Sequence, residues 1–301
     1  MVRNQAQSLQ IPEVLIRVAS YLPQGDVARL ACVNSMWFRC LTPVLWRKPV
    51  LKSIDQLRKM VHNSCHSMLP ETRCVWVEGV EFIPEIEGNE MQVSIKLPGL
   101  LGGILLDKNT DLATTRRLSK LLAQENPTAD SSRTTLIREI DMSSIYHRWS
   151  DVTGTHLLGL LALCPRLESL SINMLRSVAP HNLCTAMYML SPTLKYLDLS
   201  DTMFDDYMLG CLLVNHGPNL IRLNISDTLV TDKGLAEIAS KCGNLIEIQM
   251  QNLIEVCDDG IRKLLEGCPQ LVTIEADGCP SVNCWDVINK INEKSQWEDV
   301  E

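Results

Sequence analysis

The chain has 301 residues, a formal net charge of −8 and 46% hydrophobic residues, which is the composition of a folded globular protein with room for one large or two smaller domains. Met1 to Gln10 is polar and lacks the apolar core of a secretory leader, and no apolar run is long enough to span a membrane. Residues 1–60 hold nine Lys/Arg against three Asp/Glu, so the remainder carries −14; such an acidic body argues against a non-specific nucleic-acid surface, and the basic N-terminal block suits an acidic protein partner better than DNA.

The first elements fall within residues 8–50. Pro12 in Ile11-Pro12-Glu13 suits the first turn of a helix, and Val14, Leu15, Val18 and Leu22 follow at helical spacing. Leu22-Pro23-Gln24-Gly25 ends that helix. Asp26 is the expected N-cap of a second helix carrying Val27, Leu30, Ala31 and Val33. Trp37, Phe38, Leu41, Leu45 and Trp46 supply the bulk of a third. Three such short helices make a marginal core, so the module docks on its neighbour or is completed by a partner.

In order and spacing, Ile11-Pro12-Glu13-Val14-Leu15, Val18, Leu22, Asp26-Val27, Leu30, Val33-Asn34, Trp37 and Leu45-Trp46 resemble an F-box. The resemblance departs at Ile11, where Leu is commoner, and at Asn34-Ser35, where Cys-Arg is frequent. It implies that Pro12, Leu15, Val18, Leu22, Val27, Leu30, Val33, Trp37, Leu45 and Trp46 dock on the small acidic adaptor of SCF-type cullin–RING ubiquitin ligases, and through it on a cullin. The alternative reading of the same helices is a cap sealing the end of a solenoid.

Residues 51–70 are expected to form a linker helix with Ile54, Leu57 and Val61 on one face. His62, Cys65 and His66 lack the second ligand pair of a zinc site, so neither a metal nor a cofactor is expected. Residues 71–136 read as an irregular first repeat with an insertion. Cys74 to Phe82 is its candidate strand. Residues 83–110, with Glu85, Glu87, Glu90, Pro84 and Pro98, lose the repeat, although Met91 to Leu97 alternate like a short strand. This insertion either binds a partner or is a mobile loop. Leu112 to Gln124 returns to helix, and residues 126–135 to loop.

Residues 137–291 carry one recurring phrase: Ile137-x-x-Ile140-x-Met142, then the same spacing from Leu167, Leu194, Leu220, Leu245 and Leu271. From Leu167 onward the steps are 27, 26, 25 and 26 residues, the signature of a solenoid. In each phrase the first, fourth and sixth residues face inward as a strand, and a return helix follows. The return helices are expected at 156–163, 182–190, 207–214, 233–241 and 260–266, with Asp232 as the N-cap of the fourth. Ser200-Asp201-Thr202 and Ser226-Asp227-Thr228 recur at strand exits.

Cys164, Cys242 and Cys268 each stand three residues before a strand leucine, in phrases such as Cys242-Gly243-Asn244-Leu245. These units resemble the cysteine-containing subclass of leucine-rich repeats, with departures at Ser191-Pro192-Thr193-Leu194 and His216-Gly217-Pro218-Asn219-Leu220. That subclass commonly follows an F-box. The resemblance implies an α/β leucine-rich-repeat solenoid, a curved parallel sheet with return helices, preceded by a small three-helix F-box. Its concave face would carry Asp141, Ser171, Asp198, Asn224, Gln249 and Glu275 in one row. The neighbouring row is Glu139, Ser169, Tyr196, Arg222, Glu247 and Thr273. Together the rows lean acidic and suit a polar or basic target segment.

Residues 292–301 read as an acidic tail, with Trp297 either loose or folded back into the concavity. The twelve cysteines, without a secretory leader, are expected as reduced thiols in cytosol or nucleus. Most fall on apolar repeat or helix positions, which suits buried, inert thiols and not a thioester-forming nucleophile. No phosphate loop, Gly-x-Ser-x-Gly elbow or His-Glu-x-x-His helix occurs. The expected function is a non-catalytic receptor subunit that holds a target protein for ubiquitination. The alternative is a non-ligase scaffold or sequestering protein.

Overall fold

The structure, a computed structural model, describes residues 12–57, 81–87, 90–96, 104–106, 135–146, 148, 152 and 154–298. Three helices open it: α1 (Pro12–Ala19), α2 (Gln24–Ala31) and α3 (Ser35–Arg47). Leu15 and Ala19, one turn apart on α1, meet Val27 and Ala31 of α2 and Leu41 of α3 in a small core. Helix α2 begins at Gln24, directly after Pro23, so Asp26 is not its N-cap; it lies in the first turn and pairs with Arg29 at 3.0 Å. Asn34 caps α3, its Oδ1 accepting the Trp37 N–H at 2.9 Å. The departure from Cys-Arg at this point therefore supplies a helix start.

The module is joined to the rest through its last helix. Leu51 and Leu57 are buried in the main core, and Trp46 and Ile54 pack against it. Arg138 N–H donates to the Arg47 carbonyl at 2.8 Å, so the end of α3 meets the first edge of the large sheet. Of the expected linker helix, one turn at residues 54–57 is described. His62, Cys65, His66, the Cys74 end of the candidate strand and the helix at Leu112 to Gln124 lie outside the described residues.

The solenoid is a six-stranded parallel sheet in sequential order: β4 (Glu139–Asp141), β5 (Ser169–Ser171), β6 (Tyr196–Asp198), β7 (Arg222–Asn224), β8 (Glu247–Gln249) and β9 (Thr273–Glu275). Five helices connect or close the repeats: α4 (Gly154–Leu163), α5 (Pro180–Met189), α6 (Asp206–His216), α7 (Asp232–Lys241) and α8 (Asp258–Gly267). The first, fourth and sixth residues of all six phrases are buried, Ile137, Ile140 and Met142 included. No repeat can bury these residues alone; the neighbouring repeat covers them.

The turns after β5 to β9 are built alike. Met174, Asp201, Asp227, Asn252 and Gly278 all have positive φ, between 56° and 77°. Asp and Asn tolerate this left-handed conformation through local hydrogen bonding and Gly through lack of a side chain. The threonines in the recurring Ser-Asp-Thr phrases close the turn, Thr202 and Thr228 Oγ1 donating to the Leu199 and Ile225 carbonyls at 2.7 and 2.6 Å. A second ladder ties helix starts together. Asp206 accepts the Thr231 N–H at 2.9 Å and its hydroxyl at 2.7 Å. Asp232 likewise accepts the Cys257 N–H and thiol at 2.9 and 2.7 Å, so it anchors the next repeat while Thr231 caps its own helix. Gly260 packs so close to Asp232 that a Cβ there would meet the carboxylate, which explains the glycine.

The inserted segment forms no part of this sheet. Residues β1 (Glu81–Glu87), β2 (Glu90–Lys96) and β3 (Ile104–Leu106) make a separate antiparallel sheet in the order β1-β2-β3. The loop expected over 83–110 is thus strand over much of its length. Strand β2 lies against α5. Consistent with that cover, Leu183 to Leu190 are all buried, which a helix with one solvent face cannot achieve.

The C-terminal segment is also ordered differently from the expected tail. Helix α9 (Trp285–Glu298) runs through most of it. Asn292 Oδ1 accepts the Ile274 N–H at 2.8 Å and its Nδ2 donates to the Ile274 carbonyl at 2.9 Å. One side-chain amide thereby takes the place of a further strand on the open edge of β9.

Candidate functional site

Two surfaces collect the residues singled out in the sequence. The first is on the helical module. Leu15 and Val27 are core residues there and are not presented to a partner. Leu30, Trp37 and Leu45 are half-buried against that core, and Trp46 packs on the solenoid instead. Pro12, Val18, Leu22 and Val33 are exposed, Val18 at 40% and Val33 at 60%. Val14, Ile16, Tyr21 and Phe38 are also exposed, so Phe38, expected to supply bulk to the third helix, instead adds to the apolar surface. Val14 and Val18 stand one turn apart on α1, and Tyr21 and Leu22 follow just beyond its end. A module this small that leaves so many apolar side chains in water marks an interaction surface. Arg17 and Arg39 stand exposed beside it with no carboxylate partner among the described residues.

The second surface is the solvent face of β4–β9. The register sets Glu139, Ser169, Tyr196, Arg222, Glu247 and Thr273 side by side, and next to them Asp141, Ser171, Asp198, Asn224, Gln249 and Glu275. The two expected rows therefore exist as continuous ladders. Between β5 and β8 they line a shallow depression of about 170 Å³.

Neighbouring side chains fix one another across this face. Asp198 accepts the Ser171 hydroxyl at 2.8 Å, the Ser200 hydroxyl at 2.6 Å and the Ser200 N–H at 3.0 Å. Asn224 and Asp141 accept the N–H two residues on, at 3.0 and 2.8 Å, as strand-exit turns. Arg222 lies over the Tyr196 ring, 5.5 Å from its centroid, and pairs with Glu247 at 3.1 Å. Gln249 donates to Glu247 at 3.3 Å, and Gln251 to Glu275 at 3.2 Å.

The charges are not all available. Glu139 is engaged by Arg47 at 3.5 Å and Lys48 at 3.4 Å, at the joint with α3. Glu247 is engaged by Arg222. Asp141, Asp198 and Glu275 remain without a cationic partner among the described residues, so the face is net negative and polar.

The buried cysteines of the repeats are not activated nucleophiles. Burial pushes the Cys164 and Cys242 thiols up to about 12 and Cys268 to about 11, the opposite of an activated thiolate. A hydrogen bond with the adjoining Cys211, and then burial, also raise Cys184. None of the ten cysteines among the described residues is in a disulfide, and no cluster of metal-ligating side chains occurs among those residues.

A family model described as F-box-like matches residues 12–52. These residues form an F-box-like domain, followed by an α/β repeat solenoid. No curated protein matches the chain in sequence. Among solved structures it is similar to the crystal structure of the Rad7 and Elc1 complex in yeast, with 13% identity and a TM-score of 0.40 over 58% of this chain and 62% of that one. The match thus spans less than two thirds of the neighbour's length. It is also similar to leiomodin-1 actin-binding site 2, with 16% identity and a TM-score of 0.36 over 45% of this chain and 87% of that one.

Proposed function

We propose that this chain is the substrate-recognition subunit of an SCF-type cullin–RING ubiquitin ligase, working in the cytosol or nucleus. The single observation that carries the reading is the F-box-like domain at residues 12–52, whose own core leaves Val18, Leu22, Val33 and neighbouring apolar side chains in water. Those residues would bury against the acidic adaptor, with Arg17 and Arg39 adding charge complementarity. The repeats, which we assign to the cysteine-containing leucine-rich subclass, would hold a target protein on the two ladders. F-box proteins are generally non-catalytic, and this chain would act by proximity: it keeps a target lysine near a ubiquitin-charged enzyme that other subunits bring.

Co-purification with the full chain tests the adaptor contact. Leu15 is unsuitable as a test residue because its loss would empty the small core. Val18→Asp with Val33→Asp places two unpaired carboxylates in the interface and leaves the core intact. Adaptor and cullin are expected with the wild type and absent from the double variant, with an unchanged thermal melt. If they remain with the variant, the Val18 and Val33 surface is not the contact; if they never accompany the wild type, the ligase reading fails and a scaffold remains.

A further inference from the structure

The turns beyond the two ladders carry an apolar stripe that the strand pattern does not include. Counting two residues on from each left-handed position gives Arg176, Met203, Leu229, Ile254 and Pro280. Met203, Leu229 and Ile254 are exposed at 45%, 56% and 77%, in three consecutive repeats. The residues before them, Thr202, Thr228 and Leu253, are buried, so the alternation is imposed by the turn and not by fraying.

These turns stack in register. Leu229 N–H donates to the Phe204 carbonyl at 2.8 Å, and Asn252 Nδ2 donates to Asp227 Oδ1 at 3.1 Å. The three apolar side chains therefore follow one another at about the 4.8 Å spacing of the strands. A single exposed leucine is ordinary; a registered row on successive repeats, bordered by polar groups, is an interaction surface. The fold gains nothing from an isoleucine left mostly in water, since a polar residue would serve the same turn.

The charge around the stripe selects its occupant. Between the ends of β5–β9 and the helices that follow stand Asp201, Asp205, Asp227, Glu255 and Asp277. Arg176 is the single Lys or Arg in these turns, and it is taken up by Asp201 at 2.6 Å. The adjoining ladder adds Asp198 and Glu275. An apolar strip within an acidic border complements aliphatic side chains flanked by lysine or arginine.

We propose that the strand-exit rim of the solenoid, centred on Met203, Leu229 and Ile254, binds a target segment in which aliphatic residues are interspersed with Lys or Arg. The inference rests on the reading of the solenoid as target-holding and extends that contact surface over its edge.

Three short synthetic peptides probe it against the full chain by fluorescence anisotropy: one alternating leucine with lysine, one leucine with glutamate, one serine with lysine. The leucine–lysine peptide is expected to bind, and the other two at least about tenfold more weakly, because burying a leucine is worth a factor of ten or more. Leu229→Ser with Ile254→Ser is expected to weaken the leucine–lysine peptide by about tenfold or more on the same grounds, with an unchanged thermal melt. Absence of binding to the wild type, equal binding of the serine–lysine peptide, or unchanged binding by the double variant overturns the rim. Asp198→Asn with Glu275→Gln separates the two ideas: loss there alone leaves the ladders standing and removes the rim. Adaptor co-purification remains the separate test of the ligase reading.

Discussion

His216 ends α6 and is fully buried. The Met187 and Ser191 main-chain groups face its ring, yet neither ring nitrogen completes a well-formed hydrogen bond. Burial dominates, and it lowers the imidazole pKa from 6.5 to about 4. The native ring thus stays neutral while the unfolded chain takes up a proton as pH falls below the ordinary histidine value. The unfolded state binds more protons throughout this window, so the contribution is intact above pH 6.5 and lost as pH falls to about 4. At 1.36 kcal/mol per pKa unit the full loss is about 3 kcal/mol. Urea unfolding of the wild type and His216→Leu at stepped pH isolates the effect, because carboxylates titrate in both proteins and cancel in the difference. The Asp258 carboxyl, lowered first by the Asn283 N–H, is one of these. Relative to the variant, the wild type should lose about 3 kcal/mol between near-neutral pH and about pH 4. Parallel stability curves over that window would refute the reasoning.

Two further substitutions test the solenoid. Met174 occupies the left-handed position that Asp, Asn or Gly holds in the later repeats, at a φ of 60°. Its thioether accepts from Arg148 Nη2 at 3.1 Å, a weak contact, so Met174→Asn should raise stability by about 0.5–1 kcal/mol, read as a higher urea midpoint; a lower midpoint refutes the strain. Asn292→Ala leaves the Ile274 N–H and carbonyl without their side-chain partner at the edge of β9, at a cost of about 1–3 kcal/mol. Sedimentation should also show self-association through the opened edge, and an unchanged midpoint with a monomeric profile would exclude the capping role.

The strands and both ladders were legible because one phrase recurs at nearly constant spacing and a parallel sheet turns that repetition into register. Helix limits came within about two residues for the same reason. What escaped were relations that no local pattern encodes. Asp232 precedes a helix and looks like a cap, yet its carboxylate serves Cys257 one repeat later. Leu15 and Val18 have the same chemistry, and sequence alone does not say which faces the bundle and which faces solvent. The cover over α5 did leave a trace. Residues 180–189 carry no Asp, Glu, Lys or Arg, whereas α7 holds Asp232, Lys233, Glu237 and Lys241. A return helix without a charged face needs something over its back, and the strand-centred period did not register it. The rim was visible too, since Met203 and Leu229 directly follow the two Ser-Asp-Thr phrases.

The joint between the two halves decides where on the solenoid a target can be held. Arg47 and Lys48 engage Glu139, and Arg47 reaches Glu168 at 3.6 Å. These basic side chains are more than half exposed, so each pair contributes little by itself. The joint instead rests on Leu51 and Leu57 within the solenoid core and on the Arg138 to Arg47 hydrogen bond. A hinge needs few buried contacts, and these buried leucines argue against one. For the proposed receptor that matters, because proximity raises the effective concentration of a lysine only when the arm holding it keeps its direction. The same joint occupies the first repeat and withdraws Glu139 from target contact. The centre of the proposed target surface accordingly moves to β6–β8, where the depression meets the exposed Met203, Leu229 and Ile254.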